Sequence, residues 1–104
     1  MNPALDKKAF HIRADHPCLA GHFPGAPVVP AVIILDEVLS AAALVQRRLH
    51  VESLVQAKFV RPLLPGTEAT ISIEWHESSL SFNVACGDDT IAVGTFRIGP
   101  GANP

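Results

Sequence analysis

Apolar and polar residues alternate along much of the second half of the chain. From Ala69 to Trp75 the odd-numbered positions are apolar, and the even-numbered positions from Thr70 to His76 are polar. A repeat of two predicts a strand with one face buried and the other exposed to water. The segment Thr67–His76 is therefore predicted to be a half-buried strand.

Four further segments have strand-like patterns. In the second half of the chain, Gly, Pro, Asp or Ser residues separate one strand-like segment from the next. The first, Lys7–Arg13, alternates loosely and is expected at a sheet edge. Glycine at position 94 of the last strand predicts a close contact or a bulge. The four segments are Lys7–Arg13, Val51–Val60, Leu80–Cys86 and Thr90–Ile98.

One long segment, 31–50, has apolar residues on nearly all sides until Gln46 and predicts a buried α-helix. Pro30 suits the first helical position, where its missing N–H costs nothing. Arg47, Arg48 and His50 are expected in the last turn, where cations complement the helix dipole.

The order of elements is therefore one strand, a loop, one long helix and four strands, which we expect to form a meander. A short helical turn is predicted within 14–20, and segment 21–30 holds three prolines and two glycines, which exclude a long helix there. A sheet that curls around the helix can bury only one of its sides. The other side requires a partner, most simply a second copy.

Composition narrows the class of protein. The 104 residues, 48% of them hydrophobic, predict one domain spanning the chain. The net charge of −2 argues against nucleic acid as the main partner. The first ten residues lack the apolar segment of a signal peptide, and Pro30, Asp36 and Glu37 interrupt the longest apolar run. With Cys18 and Cys86 expected to be reduced thiols, these features predict a cytoplasmic protein that does not span a membrane.

A histidine and two acidic residues lie in otherwise apolar surroundings. His22 lies in the Gly/Pro loop, and Asp36 and Glu37 lie within the apolar helix. An imidazole and a carboxyl group of this kind can perform acid–base chemistry. The two carboxylates are adjacent, about 100° apart around a helix, so they cannot both point into one site.

The segment GHFPGAPVVPAVIILDEVL resembles the active-site signature of the β-hydroxyacyl-[acyl carrier protein] dehydratases of the hot-dog fold. That signature has Gly-His-Phe-Pro-Gly, a Pro-Gly pair, and a carboxylate fourteen residues after the His. The downstream segment AKFVRPLLPGTEATISIE resembles the strand–turn–strand of the same family. The short chain looks most like the small dehydratases of aryl polyene or other specialised lipid clusters.

The resemblance implies an α+β hot-dog fold, with a curved antiparallel sheet of five to six strands around the central helix. It implies that His22 is the base that removes the C2 proton and that Asp36 is the acid that protonates the leaving hydroxyl. The N–H of Ala31 would polarise the thioester carbonyl. Three further residues would lie near the substrate: Phe23, Gly25 and Ser40.

The resemblance also implies a dimer in which His and carboxylate come from different protomers. It implies an acyl tunnel along the helix, lined by residues such as Val32, Ile33, Leu35 and Leu39. The second chain could be an identical copy or another hot-dog subunit. The expected substrate is carried on an acyl carrier protein, and no metal or redox cofactor is implied. Four basic residues are candidates for docking that acidic carrier, although an ordinary solvated face also explains them: Arg47, Arg48, Lys58 and Arg61.

Three differences from the family pattern fall in or near the site. Ala31 replaces a glycine, Ser40 replaces a glutamine, and the chain contains no tyrosine. Two other functions therefore stay open: an acyl-thioesterase that uses a carboxylate-activated water, and a non-catalytic subunit that binds the acyl carrier. Within the site, Glu37 is the alternative to Asp36.

Overall fold

The computed structural model describes residues 5–12 and 28–99. Within these ranges the chain forms five strands and one helix, in the order β1, α1, β2, β3, β4, β5. Their bounds are β1 Leu5–Phe10, α1 Ala31–Val45, β2 Val51–Phe59, β3 Ala69–Trp75, β4 Ser79–Cys86 and β5 Asp89–Ile98. The predicted turn in 14–20 and the loop up to residue 27 lie outside the described residues.

The strands form one antiparallel sheet in the order β1-β3-β4-β5-β2. The prediction of an edge position for β1 is confirmed. The predicted meander is wrong for β2, which pairs with β5 rather than with β3. Helix α1 lies between β1 and β2 in sequence, and it carries the chain from one edge of the sheet to the other.

The connection from β2 back to β3 explains this topology. The N–H of Val29 donates to the carbonyl of Leu63 (2.8 Å), and the N–H of Gly66 donates to the carbonyl of Ile12 (2.6 Å). Leu63 is only 1% exposed, so the connection is anchored in the core. These contacts start β3 beside β1, which leaves β2 as the second edge strand.

The core lies between one face of the sheet and one face of α1. The predicted alternation in β3 is confirmed, with buried residues at every odd position from Ala69 to Trp75. Trp75 is 3% exposed and belongs to the core, as expected. The helix contributes a single buried stripe, consisting of Ile34, Val38, Ala41 and Ala42.

Both ends of the helix differ from the prediction. Pro30 is the N-cap, with extended φ and ψ of −60° and 147°, and not the first helical residue. At the other end Gln46 is extended, with φ −125° and ψ 101°, so Arg47, Arg48 and His50 lie beyond the helix. The turn brings Leu49 back against the core, and burying this leucine outweighs the favourable position of cations at a helix end.

Candidate active site

Asp36 lies on the face of α1 that no other described element covers. Val32, Asp36, Ser40 and Ala43 are all exposed, and their spacing of three or four residues puts them on one side of the helix. The buried stripe lies on the opposite side. The expected burial of Asp36 among Val, Ile and Leu is therefore not found within one chain.

The neighbouring Glu37 is half-buried and points in another direction. It lies about 100° around the helix from Asp36, away from Ser40. Asp36 and Ser40 therefore share one surface, whereas Glu37 lies at the margin of the face that packs on the sheet. This placement favours Asp36 as the carboxylate that a second chain or a substrate can reach.

The helix begins with backbone N–H groups directed away from its own carbonyls. The N–H groups of Ile33 and Ile34 both donate to the carbonyl of Pro30, at 3.0 and 3.4 Å. Those of Ala31 and Val32 come earlier in the first turn, where a helix offers them no acceptor. Both residues are exposed. An oxygen that gains negative charge can accept hydrogen bonds here.

A cavity of about 240 Å³ adjoins this end of the helix. Ala31 and Ile34 line its helix side, and the chain that leaves β2 lines the other side with Phe59, Val60 and Arg61. The walls are mainly apolar, and Arg61 is the charged residue among those that line the cavity. Phe59 and Val60 were not predicted as lining residues, although both lie within the segment AKFVRPLLPGTEATISIE that resembles the family's strand–turn–strand.

Only part of the predicted site falls within the described residues. Ala31, Asp36 and Ser40 lie along the exposed side and the first turn of one helix. The other three predicted site residues lie outside the described ranges: His22, Phe23 and Gly25. Of the residues expected to line an acyl tunnel, Val32 is 61% exposed, and the others are half-buried: Ile33, Leu35 and Leu39.

The four candidate docking residues are all exposed but form two separate pairs. Arg47 and Arg48 precede β2, whereas Lys58 and Arg61 lie at and beyond its end. The nine residues of β2 hold the pairs roughly 30 Å apart at about 3.3 Å per residue. A single chain therefore does not bring them together.

Cys86 lines a second cavity, of about 310 Å³, together with Arg61, Thr67 and Asp89. It is a free, half-buried thiol, and its pKa is raised by burial and, less strongly, by the negative charge of Asp89. A thiol of this kind stays protonated and is a poor nucleophile. Cys18 lies outside the described residues.

Within the described ranges, His, Cys, Asp and Glu residues form no group of three or more that could hold a metal ion. The same residues contain no helix that is long and apolar enough to cross a membrane.

The sheet order and the helix packed on the sheet define an α+β protein of the hot-dog type. The dehydratase heterocomplex ApeI:P from Xenorhabdus doucetiae has a similar structure. The TM-score is 0.79 at 24% identity, over 94% of this chain and 98% of that one. The fluoroacetyl-CoA-specific thioesterase FlK has the same fold, with a TM-score of 0.69 at 13% identity, over 95% of this chain and 93% of that one. At these identities the likeness shows the hot-dog fold alone.

The sequence comparisons identify the family. The model of the ApeI-like family, described as ApeI dehydratase, matches residues 6–95, and the chain belongs to this family. A 3-hydroxyacyl-[acyl-carrier-protein] dehydratase FabZ from Haemophilus influenzae is 30% identical over 77 residues, which are 65% of this chain and 52% of the relative. The chain thus spans about half the length of the curated relatives it matches.

Proposed function

We propose that this chain removes water from 3-hydroxyacyl thioesters to give trans-2-enoyl thioesters. The observation that carries the proposal is the position of Asp36. In a chain of the ApeI-like family, it lies exposed on the face of the helix whose first turn offers the N–H groups of Ala31 and Val32. An acid and an oxyanion donor are thereby presented on one uncovered surface.

The proposed reaction uses three groups. The neutral imidazole of His22 takes the proton from C2, which the thioester acidifies. The N–H of Ala31 donates to the carbonyl oxygen as it becomes enolate-like. Protonated Asp36 then gives its proton to the 3-hydroxyl, the C3–O bond breaks, and water leaves as the C2–C3 double bond forms.

We further propose that the working unit is a pair of hot-dog chains, with His22 and Asp36 of each site supplied by different chains. The exposed carboxylate supports this assignment, because a site that excludes water needs a second surface over this side of the helix. The exposed apolar residues of the helix and of β2 support it as well. The larger ones are Val32, Leu44, Val45, Leu54, Val55 and Phe59.

The substrate we propose is carried on an acyl carrier protein. We propose that the reaction takes place in the cytoplasm. The resemblance and the FabZ relatives, whose names specify an acyl-carrier-protein substrate, support the carrier. The exposed basic residues on either side of β2 give an acidic carrier two places to approach.

A product assay tests the proposal. The purified chain is given a 3-hydroxyacyl thioester of carrier protein or of N-acetylcysteamine, and the acyl group is followed by mass spectrometry. Loss of one water, abolished in His22→Ala, is the expected result. Free 3-hydroxy acid would instead show a thioesterase. An unchanged thioester with carrier binding intact would show a non-catalytic subunit.

A further inference from the structure

A serine and a histidine are hydrogen-bonded on the face of the sheet that α1 does not cover. The Oγ atom of Ser81 lies 3.3 Å from Nε2 of His76. In β4 the buried side chains of Leu80 and Phe82 face the core, so the side chain of Ser81 between them faces the other way. Both members of the pair are half-buried. A hydroxyl within hydrogen-bond reach of an imidazole is the arrangement that activates a serine nucleophile.

The hairpin of β3 and β4 places the two side chains. Glu74 lies directly opposite Ser81 in the antiparallel register. His76 comes two residues after Glu74, so it is a diagonal neighbour of Ser81 on the same face, within reach of a long side chain. When the neutral ring carries its proton on Nδ1, Nε2 can accept the hydroxyl proton of Ser81. Both groups are therefore held by a strand pair, which positions a site more precisely than loops do.

A cavity of about 220 Å³ lies beside Ser81. Ser72 and Asn83, which are paired between β3 and β4, line it together with Glu74 and Val93. Asn83 comes two residues after Ser81 on the same face of β4, roughly 7 Å along the strand. Its side-chain amide can donate to the oxygen that gains negative charge when a serine attacks a carbonyl group. One surface thus offers a nucleophile, a base, a hydrogen-bond donor and room for an acyl group.

This surface is separate from the proposed dehydration site. Ala31 and Asp36 belong to α1, which packs on the opposite face of the sheet. Glu74 is exposed at the cavity, and its negative charge disfavours an anionic acyl group there. The volume suits a small group, since a protein cavity of about 150 Å³ can hold benzene. The ligands that fit are therefore short, uncharged acyl groups.

We propose that Ser81 and His76 form a second catalytic site, which hydrolyses short, uncharged acyl esters. Oγ of Ser81 adds to the carbonyl carbon as Nε2 of His76 takes the hydroxyl proton, and the amide of Asn83 donates to the carbonyl oxygen. The bond to the alcohol oxygen then breaks, and the alcohol leaves with the proton from His76. Water next adds to the acyl-serine, again giving a proton to His76. The carboxylic acid is released, and the proton returns to Ser81.

An alkyl fluorophosphonate tests the nucleophile. Attack by Ser81 forms a bond from oxygen to phosphorus, expels fluoride and leaves a stable adduct, which mass spectrometry of the intact chain and of its peptides locates. We expect one adduct, at Ser81, and none in Ser81→Ala. Ser79→Ala is the matched control, because it removes another half-buried hydroxyl from the same strand, and it should be labelled at the native rate.

Hydrolysis of para-nitrophenyl butyrate, followed by the absorbance of nitrophenolate, tests the base and the donor. This ester has no 3-hydroxyl group, so dehydration does not consume it. His76→Gln can still hydrogen-bond Ser81 but cannot act as the base, so kcat should fall about 10²- to 10⁴-fold. Asn83→Ala should lower kcat about 10²- to 10³-fold and change KM little, because the donor acts on the transition state. Circular dichroism checks that every variant is folded.

An absence of adduct at Ser81 of the folded chain, under conditions that label a known serine esterase completely, would overturn the proposal. Ester hydrolysis at the native rate in Ser81→Ala would also overturn it, because another nucleophile would then be responsible. A His76→Gln chain that unfolds more easily in urea yet is labelled at the native rate would show that the hydrogen bond only stabilises the hairpin. None of these results bears on dehydration, which is measured as loss of water from a different substrate.

Discussion

Asp36 is exposed because of the way α1 packs on the sheet. Apolar residues occur on nearly all sides of this helix, and packing turns Ile34 and Val38 inward, so the side that holds Asp36 faces outward. The carboxylate fourteen residues after His22 is therefore open to a second chain or to a substrate.

Two substitutions test whether Asp36 or Glu37 is the acid. Asp36→Asn keeps the size of the side chain but cannot act as the acid, so we expect the dehydration rate to fall about 10²- to 10⁴-fold. Because Asp36 is exposed, unfolding in urea should change little. Glu37→Gln is the matched control and should retain most of the activity. The reverse pattern would assign the acid to Glu37.

Cys86 is expected to react slowly. In a Cys18→Ser background, alkylation by iodoacetamide at about pH 8 should be slower than for an unfolded peptide thiol, because burial and then Asp89 raise the pKa of Cys86. Asp89→Asn should speed the reaction, because it removes the negative charge that contributes to the raised pKa of Cys86. A rate equal to that of the peptide would contradict this expectation.

The raised pKa of Cys86 also makes the free energy of unfolding depend on pH. The folded chain holds the thiol proton more tightly than the unfolded chain. The stabilisation is therefore complete below the unfolded thiol's pKa and is lost as pH rises through the folded one. Urea unfolding of the Cys18→Ser protein, compared with the same protein carrying Cys86→Ala, isolates this loss on the alkaline side.

For the strands, the hydrophobic pattern predicted where each strand lies better than it predicted which strands pair. Alternation located β3, β4 and β5 to within about two residues, because one face of each strand is buried. The partner of β2 was not predictable in this way. It depends on the helix crossing the sheet and on Leu63 anchoring the return connection, and neither leaves a periodic signal.

Gly94 lies where neighbouring strands approach one another closely. Its expected close contact is confirmed, since a Cβ atom there would lie 2.5 Å from the carbonyl oxygen of Gln56 and 2.5 Å from the ring of Phe82. Phe82 also packs against Phe96, with ring centroids 5.6 Å apart. Three strands, β2, β4 and β5, thus meet closely at a residue without a side chain.

Gly94→Ala is therefore expected to lower the free energy of unfolding by about 1–3 kcal/mol, because a methyl group would displace the Phe82 ring or separate β2 from β5. Urea unfolding monitored by circular dichroism measures the change. Thr95→Ser, at the next position of β5 but half-exposed, is the control and should differ little. A urea midpoint for Gly94→Ala equal to that of the native chain would contradict this expectation, because it would show that β2 can move away from β5 without a loss of stability.

For the whole molecule, the described residues 5–12 and 28–99 of one chain leave two apolar surfaces uncovered. One is the face of α1, where Leu44 is 69% exposed, and the other is the edge strand β2, where Val55 is 55% exposed. The sequence already indicated a partner, because a sheet covers only one side of a helix. The structure adds that the candidate acid lies within the first of these surfaces, so that covering it and completing the site would be one event.

Complementation between two inactive variants tests whether the site spans two chains. His22→Ala and Asp36→Asn should each be inactive alone. In a mixed dimer, one site receives both substitutions, and the other retains His22 from one chain and Asp36 from the other. Random pairing at equal concentrations makes half of the dimers mixed, each with one native site of two, so the mixture should recover about a quarter of the native rate. A site contained within one chain would stay inactive in every pairing, so a mixture with no activity after confirmed subunit exchange would place both groups in the same chain.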